Sequence, residues 1–108
     1  MNRTRVYAFC ATLAVGSITA LAADKGDAAK GKEVFGQCAV CHSADTTDTK
    51  VGPGLKGLFK KDKLVNGKKV TDANVREKIE QGGNGMPSYK DLLSDPEKDD
   101  LIAYLKTL

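Results

Sequence analysis

The apolar residues of this chain follow the spacing of short amphipathic helices. They recur three and four positions apart in three stretches, which cover residues 28–37, residues 72–81 and the chain from residue 95 onwards. In the second stretch, Val75 and Ile79 form such an i, i+4 pair. Apolar and polar residues do not alternate for long in any part of the chain, as they would in a half-buried strand. The pattern therefore predicts an all-α fold.

The predicted helices have recognisable ends. A side-chain oxygen at the N-cap can accept hydrogen bonds from the first free backbone N–H groups of a helix. Pro96 suits the first turn of the last helix, and Gly82–Gly83 is a typical helix end. The candidate N-caps are Asp27 for the first helix, Thr71 or Asp72 for the second, and Ser94 or Asp95 for the third.

Gly31 lies inside the first predicted helix, on the same face as Phe35. A glycine there costs about 1 kcal/mol relative to alanine. Either the helix tolerates this cost, or another helix crosses close to the backbone at Gly31. The C-terminal helix, with Leu101 and Tyr104, is the candidate partner, because two short amphipathic helices must bury their apolar faces.

The stretch between residues 43 and 70 is rich in Gly, Lys, Asp and Thr and is predicted mostly as loop. Leu55, Leu58 and Phe59 would be its buried points, and Asn66–Gly67 could turn a small hairpin.

The first 23 residues have the features of a secretory signal peptide. Two arginines precede an apolar run over residues 6–21, and a small-residue cleavage site follows, with cutting expected after Ala22 or Ala23. An uncleaved membrane anchor is the alternative, since the run is close to spanning length. We therefore expect a cleaved signal peptide over residues 1–23, a single domain over residues 24–108 and a periplasmic location.

The charge of the chain is nearly balanced once the signal is removed. The formal net charge of +3 includes Arg3 and Arg5, and without them 15 basic and 14 acidic side chains remain. Such a chain has no charge-based reason to bind nucleic acid or anionic membranes. One local cluster of lysines forms either a solvated face or a docking patch. Its members are Lys56, Lys60, Lys61, Lys63, Lys68 and Lys69.

The stretch Cys38-Ala39-Val40-Cys41-His42 is the signature of covalent haem attachment. Each thiol can add to a haem vinyl group, and His42 can then donate an imidazole nitrogen to the iron. A thioredoxin-like thiol pair would need a βαβ setting, which the pattern does not predict. A structural zinc site would need four ligands, and the chain has no second histidine. We therefore expect one haem c, bound through two thioether bonds.

Met86 is the candidate second axial ligand of the iron. Met1 would leave with the signal peptide, which makes Met86 the one methionine of the mature chain. It lies in the glycine-rich stretch 82–87, where backbone can approach a flat cofactor closely. The alternative is that Met86 only fills a gap in the core.

Gly52-Pro53-Gly54 follows the haem motif by about ten residues. The Pro53 carbonyl could accept a hydrogen bond from the second ring nitrogen of His42, which would fix the orientation of the ring. The same three residues could equally form a plain turn.

In combination, these motifs resemble the small bacterial class I cytochromes c. The resemblance covers the whole mature chain and implies crossed terminal helices and short middle helices around one haem. It further implies that the proline carbonyl, here that of Pro53, accepts a hydrogen bond from the proximal histidine. The residues that carry it are Gly31, Phe35, Cys38, Cys41, His42, residues 52–55, residues 85–87, Leu101 and Tyr104.

The resemblance implies a monomeric periplasmic shuttle for single electrons in a respiratory chain, with redox proteins as its partners. We expect no small-molecule substrate and no enzymatic activity, since no side chain is required to make or break bonds. One alternative is an electron-entry subunit of a larger oxidase or dehydrogenase. A haem protein with an open iron site that binds small ligands is a further alternative, although the chain offers no distal histidine.

Overall fold

The computed structural model describes residues 26–108, so the predicted signal peptide lies outside the described residues. Within these residues the chain forms three α-helices: α1 (Ala28–Phe35), α2 (Asp72–Gln81) and α3 (Asp95–Leu105). A single 3₁₀ turn, Leu58–Lys60, interrupts the long connection between α1 and α2. No strand occurs within residues 26–108, which confirms the all-α prediction.

The helices begin where the capping residues predict. The Asp27 carboxylate accepts from the backbone N–H groups of Ala29 and Lys30, and the Thr71 hydroxyl accepts from that of Asn74. At the start of α3, Ser94 and Glu97 form a reciprocal capping box, in which each side chain accepts from the backbone N–H of the other residue. Thr71 and Ser94 are therefore the N-caps of the two later helices.

α1 is two residues shorter than the sequence predicts. Beyond Phe35, backbone hydrogen bonds begin to join residues three positions apart, where a regular α-helix joins residues four apart. The Gly36 N–H, for example, donates to the Glu33 carbonyl at 3.1 Å. The Phe35 carbonyl then accepts from the N–H groups of both Cys38 and Ala39, at 2.8 and 3.0 Å. This tighter winding ends the regular helix and begins the turn that carries the cysteines.

α1 and α3 cross in direct backbone contact at Gly31. A Cβ atom built on Gly31 would lie 2.5 Å from the Asp100 carbonyl carbon and 2.8 Å from the Tyr104 Cβ. Beside the crossing, the rings of Phe35 and Tyr104 pack with centroids 5.3 Å apart. The crossing of the two terminal helices is confirmed, and it explains why glycine is needed at position 31.

The described core is small and comes from every element of the fold. Leu101, on α3, is its most buried side chain, with 1% of its surface exposed. Leu58 is the buried point of the long connection, whereas Leu55 and Phe59 are only partly buried against the core. The buried apolar side chains are Phe35, Leu58, Val75, Ile79, Leu93, Leu101, Ile102 and Leu105.

The hairpin suggested around Asn66–Gly67 is reduced to a turn with one isolated antiparallel bridge, between Lys63 and Lys69. Gly67 has a φ of +81°, and the Asn66 side chain accepts from the Lys68 N–H at 3.0 Å. Side-chain capping of the turn takes the place of a longer ladder.

None of the helices found in residues 26–108 combines the length and the apolar character needed to cross a membrane.

Candidate functional site

Residues 38–42 form one helical turn after α1. The Cys38 carbonyl accepts from the N–H groups of Cys41 at 3.1 Å and of His42 at 2.9 Å. In a helical turn, residues three and four positions apart lie on the same side. The turn therefore presents two thiols and one imidazole to the same side of the chain, and neither cysteine is in a disulfide.

The imidazole of His42 is oriented by the loop that follows the motif. Its Nδ1 lies 2.8 Å from the Pro53 carbonyl oxygen. Because a carbonyl can only accept, Nδ1 carries the proton and donates it, which leaves Nε2 of the neutral ring with a free lone pair. The sequence predicted this acceptor, and the observed geometry favours it over a plain turn.

Gly52 packs against the face of the His42 ring. A Cβ at this position would lie 2.5 Å from the ring Cε1 and 2.9 Å from Nδ1, so any larger residue would displace the imidazole. The Gly52 N–H donates to the Cys41 carbonyl at 2.8 Å, which fastens the loop to the motif. Sequence reasoning missed this role, although a glycine beside the acceptor proline was the available signal.

Met86 lies on a different element, in a tight turn after α2. The four preceding residues all have positive φ values, from +51° at Asn84 to +114° at Gly83. Gly83 and Met86 exchange backbone hydrogen bonds of 2.9 and 3.0 Å across this turn. A run of left-handed residues requires glycine at most positions, which explains the composition of residues 82–85.

The segment that carries Met86 packs against the same buried core as the first cysteine, since Tyr89 and Cys38 are both partly buried against it. Burial first, and then charge on the neighbouring Cys41, raise the pKa of the Cys38 thiol above its usual value. Burial, followed by charge on Cys38 and Cys41, also raises the pKa of Tyr89. Tyr89 is three residues after Met86, so the Met86 segment and the turn that carries the cysteines pack against one core.

These residues fit a covalently attached haem. Two unpaired thiols and a ring nitrogen with a free lone pair lie on one helical turn. Because Gly52 has no side chain, the imidazole has room to pack against its backbone. Cys38 and Cys41 would hold the porphyrin, and His42 would bind its iron. By contrast, residues 26–108 contain no cluster of three or more His, Cys, Asp or Glu side chains that could hold a bare metal ion.

The lysine cluster forms exposed positive surface. Lys68 pairs with Glu77 at 2.9 Å, but the other five lysines have no ion-pair partner within the described part of the chain. Those five are Lys56, Lys60, Lys61, Lys63 and Lys69.

The family model for cytochrome c matches residues 28–108, which span all three helices and both halves of the site. This chain belongs to the cytochrome c family. The cytochrome c2 of Blastochloris viridis is 38% identical over 97 residues, covering 74% of this chain and 76% of the relative. The cytochrome c6 of Synechocystis sp. is 39% identical over 88 residues, covering 81% of this chain and 68% of the relative.

Solved structures have the same fold as this cytochrome. The cytochrome c6 of the diatom Phaeodactylum tricornutum superposes with a TM-score of 0.61 at 27% identity, covering 76% of this chain and 93% of the other. The cytochrome cH of Methylobacterium extorquens gives a TM-score of 0.58 at 30% identity, covering 77% and 100%. The protein is accordingly a haem-based electron carrier, with a covalently bound haem c and its iron.

Proposed function

We propose that this cytochrome is a periplasmic carrier of single electrons, in which one haem c has His42 and Met86 as its axial ligands. When bound, the haem supplies an iron atom that accepts and releases one electron. The chain holds this group, orients its ligands and keeps water from it. The observation that carries the proposal is the hydrogen bond from His42 Nδ1 to Pro53, because it directs the lone pair of Nε2 away from the loop.

His42 acts as a fixed proximal ligand. The hydrogen bond to Pro53 sets the tautomer and the orientation of the ring, and contact with Gly52 limits its rotation. A ligand that moves little between the two redox states keeps the cost of reorganisation low. This suits electron transfer better than a reaction that needs an open coordination position.

Met86 would complete the coordination from the opposite element. Its thioether is a soft ligand that favours ferrous iron, so the reduction potential should be higher than with two imidazoles. Support comes from the left-handed turn before Met86 and from Tyr89, which packs with Cys38 against the same core. The two ligands then come from segments about 40 positions apart, and the fold has to hold both.

Export is supported by the sequence of residues 1–23, with its two arginines, apolar run and small-residue cleavage site. Redox proteins, either membrane-bound or periplasmic, are the proposed partners of a monomeric carrier, and the exposed lysine cluster offers them a positive surface. N-terminal sequencing of the purified protein tests export directly, with a first residue of Ala23 or Asp24 expected.

Met86→Ala tests the ligation. The ferric wild-type protein should have the weak absorption band near the red end of the spectrum that is typical of methionine bound to iron. The variant should lose this band, have a lower reduction potential and bind carbon monoxide readily when reduced. Leu92→Ala is the matched control, since Leu92 lies on the same segment with 67% of its surface exposed.

A wild-type spectrum without the band would refute ligation by Met86. Rapid carbon monoxide binding by the reduced wild type would instead support the haem protein with an open iron site.

A further inference from the structure

Lys98 is the one charged residue that is buried within residues 26–108, with 4% of its surface exposed. It lies on α3, and its Nζ donates to the Lys90 carbonyl at 2.9 Å. The same Nζ lies 3.3 Å from a carboxylate oxygen of Glu80 on α2 and 3.6 Å from one of Asp95. A buried ammonium is costly unless it is paired, and here it makes one hydrogen bond and lies within 4 Å of two carboxylates.

Besides Leu93 in the buried core and Tyr89 packed against it, two hydrogen bonds to α2 hold the segment from Met86 to Leu93. It runs back along the end of α2, where the Tyr89 N–H donates to the Ile79 carbonyl at 3.0 Å. The Ser88 hydroxyl donates to the Glu80 carbonyl. The last carbonyls of α2 have no partner within the helix. The two hydrogen bonds from the segment therefore cap the C-terminal end of α2, and they also fix the segment to that helix.

We propose that Lys98 is a positioning residue that holds this segment, and with it Met86, on α2 and α3. From α3, its Nζ donates to the backbone carbonyl of Lys90 in the segment, and the same Nζ pairs with Glu80 of α2. A hydrogen bond from a charged donor is stronger than the neutral bonds made by Ser88 and Tyr89. The expected effect of Lys98 on the haem rests on the proposed ligation by Met86. Its effect on the position of the segment does not depend on that ligation.

If Lys98 served only to join α3 to α2, its ion pair with Glu80 would be enough, and a hydrogen bond to the Lys90 carbonyl would not be needed. Lys106, the residue directly after α3, provides this comparison. Its Nζ pairs with Asp72 of α2 at 2.7 Å and lies 5.7 Å from the centre of the Phe59 ring, and neither partner belongs to residues 86–93. Lys98→Met and Lys106→Met thus each remove an ion pair to α2, the more exposed one in Lys106→Met, and only Lys98→Met also removes the bond to Lys90.

Hydrogen exchange of the holoprotein tests the position of the segment without reference to the iron. In Lys98→Met, the Tyr89 amide should exchange about tenfold faster than in the wild type, because a lost charged hydrogen bond favours local opening. The Gly31 amide, which donates to Asp27 in α1, should be unchanged and serves as the internal control. Lys106→Met should leave the Tyr89 amide as in the wild type, and Lys98→Arg should restore most of its protection.

Binding of imidazole to the ferric protein tests the effect on Met86. Imidazole can replace Met86 only when the segment opens, so its apparent affinity rises with the open fraction. We expect about a tenfold gain in Lys98→Met, with no gain in Lys106→Met. If Lys98→Met does not fold, Lys98→Gln keeps a neutral donor and should give a smaller change in the same direction.

Equal Tyr89 exchange in Lys98→Met and Lys106→Met would overturn the proposal. Acceleration of Tyr89 and Gly31 to the same extent would also overturn it, since Lys98 would then stabilise the whole fold and not the segment. If the wild-type protein lacks the methionine band while Tyr89 responds as expected, the proposed ligation fails and the positioning role of Lys98 stands.

Discussion

Replacing Gly31 by alanine tests the helix crossing on which the site is built. The added Cβ would overlap the Asp100 carbonyl oxygen and would lie 2.5 Å from the carbonyl carbon of the same residue. Both atoms belong to the backbone of α3, so no side-chain rotation can relieve the contact. α3 would have to move away from α1 by about 1 Å to bring the Asp100 carbonyl carbon to an ordinary contact of about 3.4 Å, and by more than that for the carbonyl oxygen.

The expected loss of stability follows from that displacement. Atoms that separate by about 0.5–1 Å lose a quarter to a half of their dispersion attraction, and the Phe35–Tyr104 ring pair lies beside the crossing. Overpacking of this kind costs about 1–3 kcal/mol, whereas alanine regains up to about 1 kcal/mol of helix propensity. We expect a net loss of about 2 kcal/mol and a fall in Tm of about 8–16 °C for a domain of this size.

Guanidinium unfolding of the holoprotein, followed by circular dichroism, measures this loss. Gly36→Ala is the matched control, because Gly36 is in a right-handed helical conformation and an added Cβ would meet only the Glu33 carbonyl, at 3.1 Å. The control should unfold within about 0.5 kcal/mol of the wild type. A Gly31→Ala protein as stable as this control would refute the close crossing of α1 and α3.

Two further substitutions test the loop behind His42 and the start of α3. Gly52→Ala should cost about 1–3 kcal/mol in unfolding experiments and shift the NMR resonance of the His42 Nδ1–H, since the Cβ would meet the ring; an unchanged resonance would contradict the packing. Hydrogen bonds from the backbone and the side chain of Ser94 lower the pKa of Glu97 below its usual value. A lowered folded-state pKa stabilises the protein above the usual carboxyl pKa, and this contribution is lost as the pH falls through the folded-state pKa. The urea midpoint of the wild type should therefore exceed that of Glu97→Gln at neutral pH, and the two midpoints should converge in acid. A difference that does not depend on pH would refute the hydrogen bond between the Glu97 carboxylate and Ser94.

The terminal helices and the turn after α2 together explain how a small core can position two distant candidate ligands. α1 leads directly into the turn that carries His42, and α2 leads directly into the turn that carries Met86. α3 contacts both of these helices and, through Lys98, the segment that follows Met86. Loss of contact at either helix should therefore affect ligation as well as stability.

Local sequence was sufficient for the parts of this protein that depend on neighbouring residues. The bounds of α2 follow from the Thr71 cap, the Val75–Ile79 pair and the glycine at its end, all within about twelve positions. The haem motif is equally local, because two thiols and an imidazole on one helical turn need only five consecutive residues. These features depend on hydrogen bonds and side-chain spacings of at most four residues, which a linear pattern contains.

Tertiary structure alone decided the features that join distant segments. The sequence could not indicate that Lys98 is buried, since lysine is usually exposed and its partners lie on α2 and in the segment after Met86. It also could not indicate that Gly52 meets the His42 ring, or that Gly31 meets the backbone of Asp100 and not another part of α3. Each of these contacts depends on how helices and loops pack at distances of a few ångströms, and the spacing of residues along one segment carries no information about the surface of another.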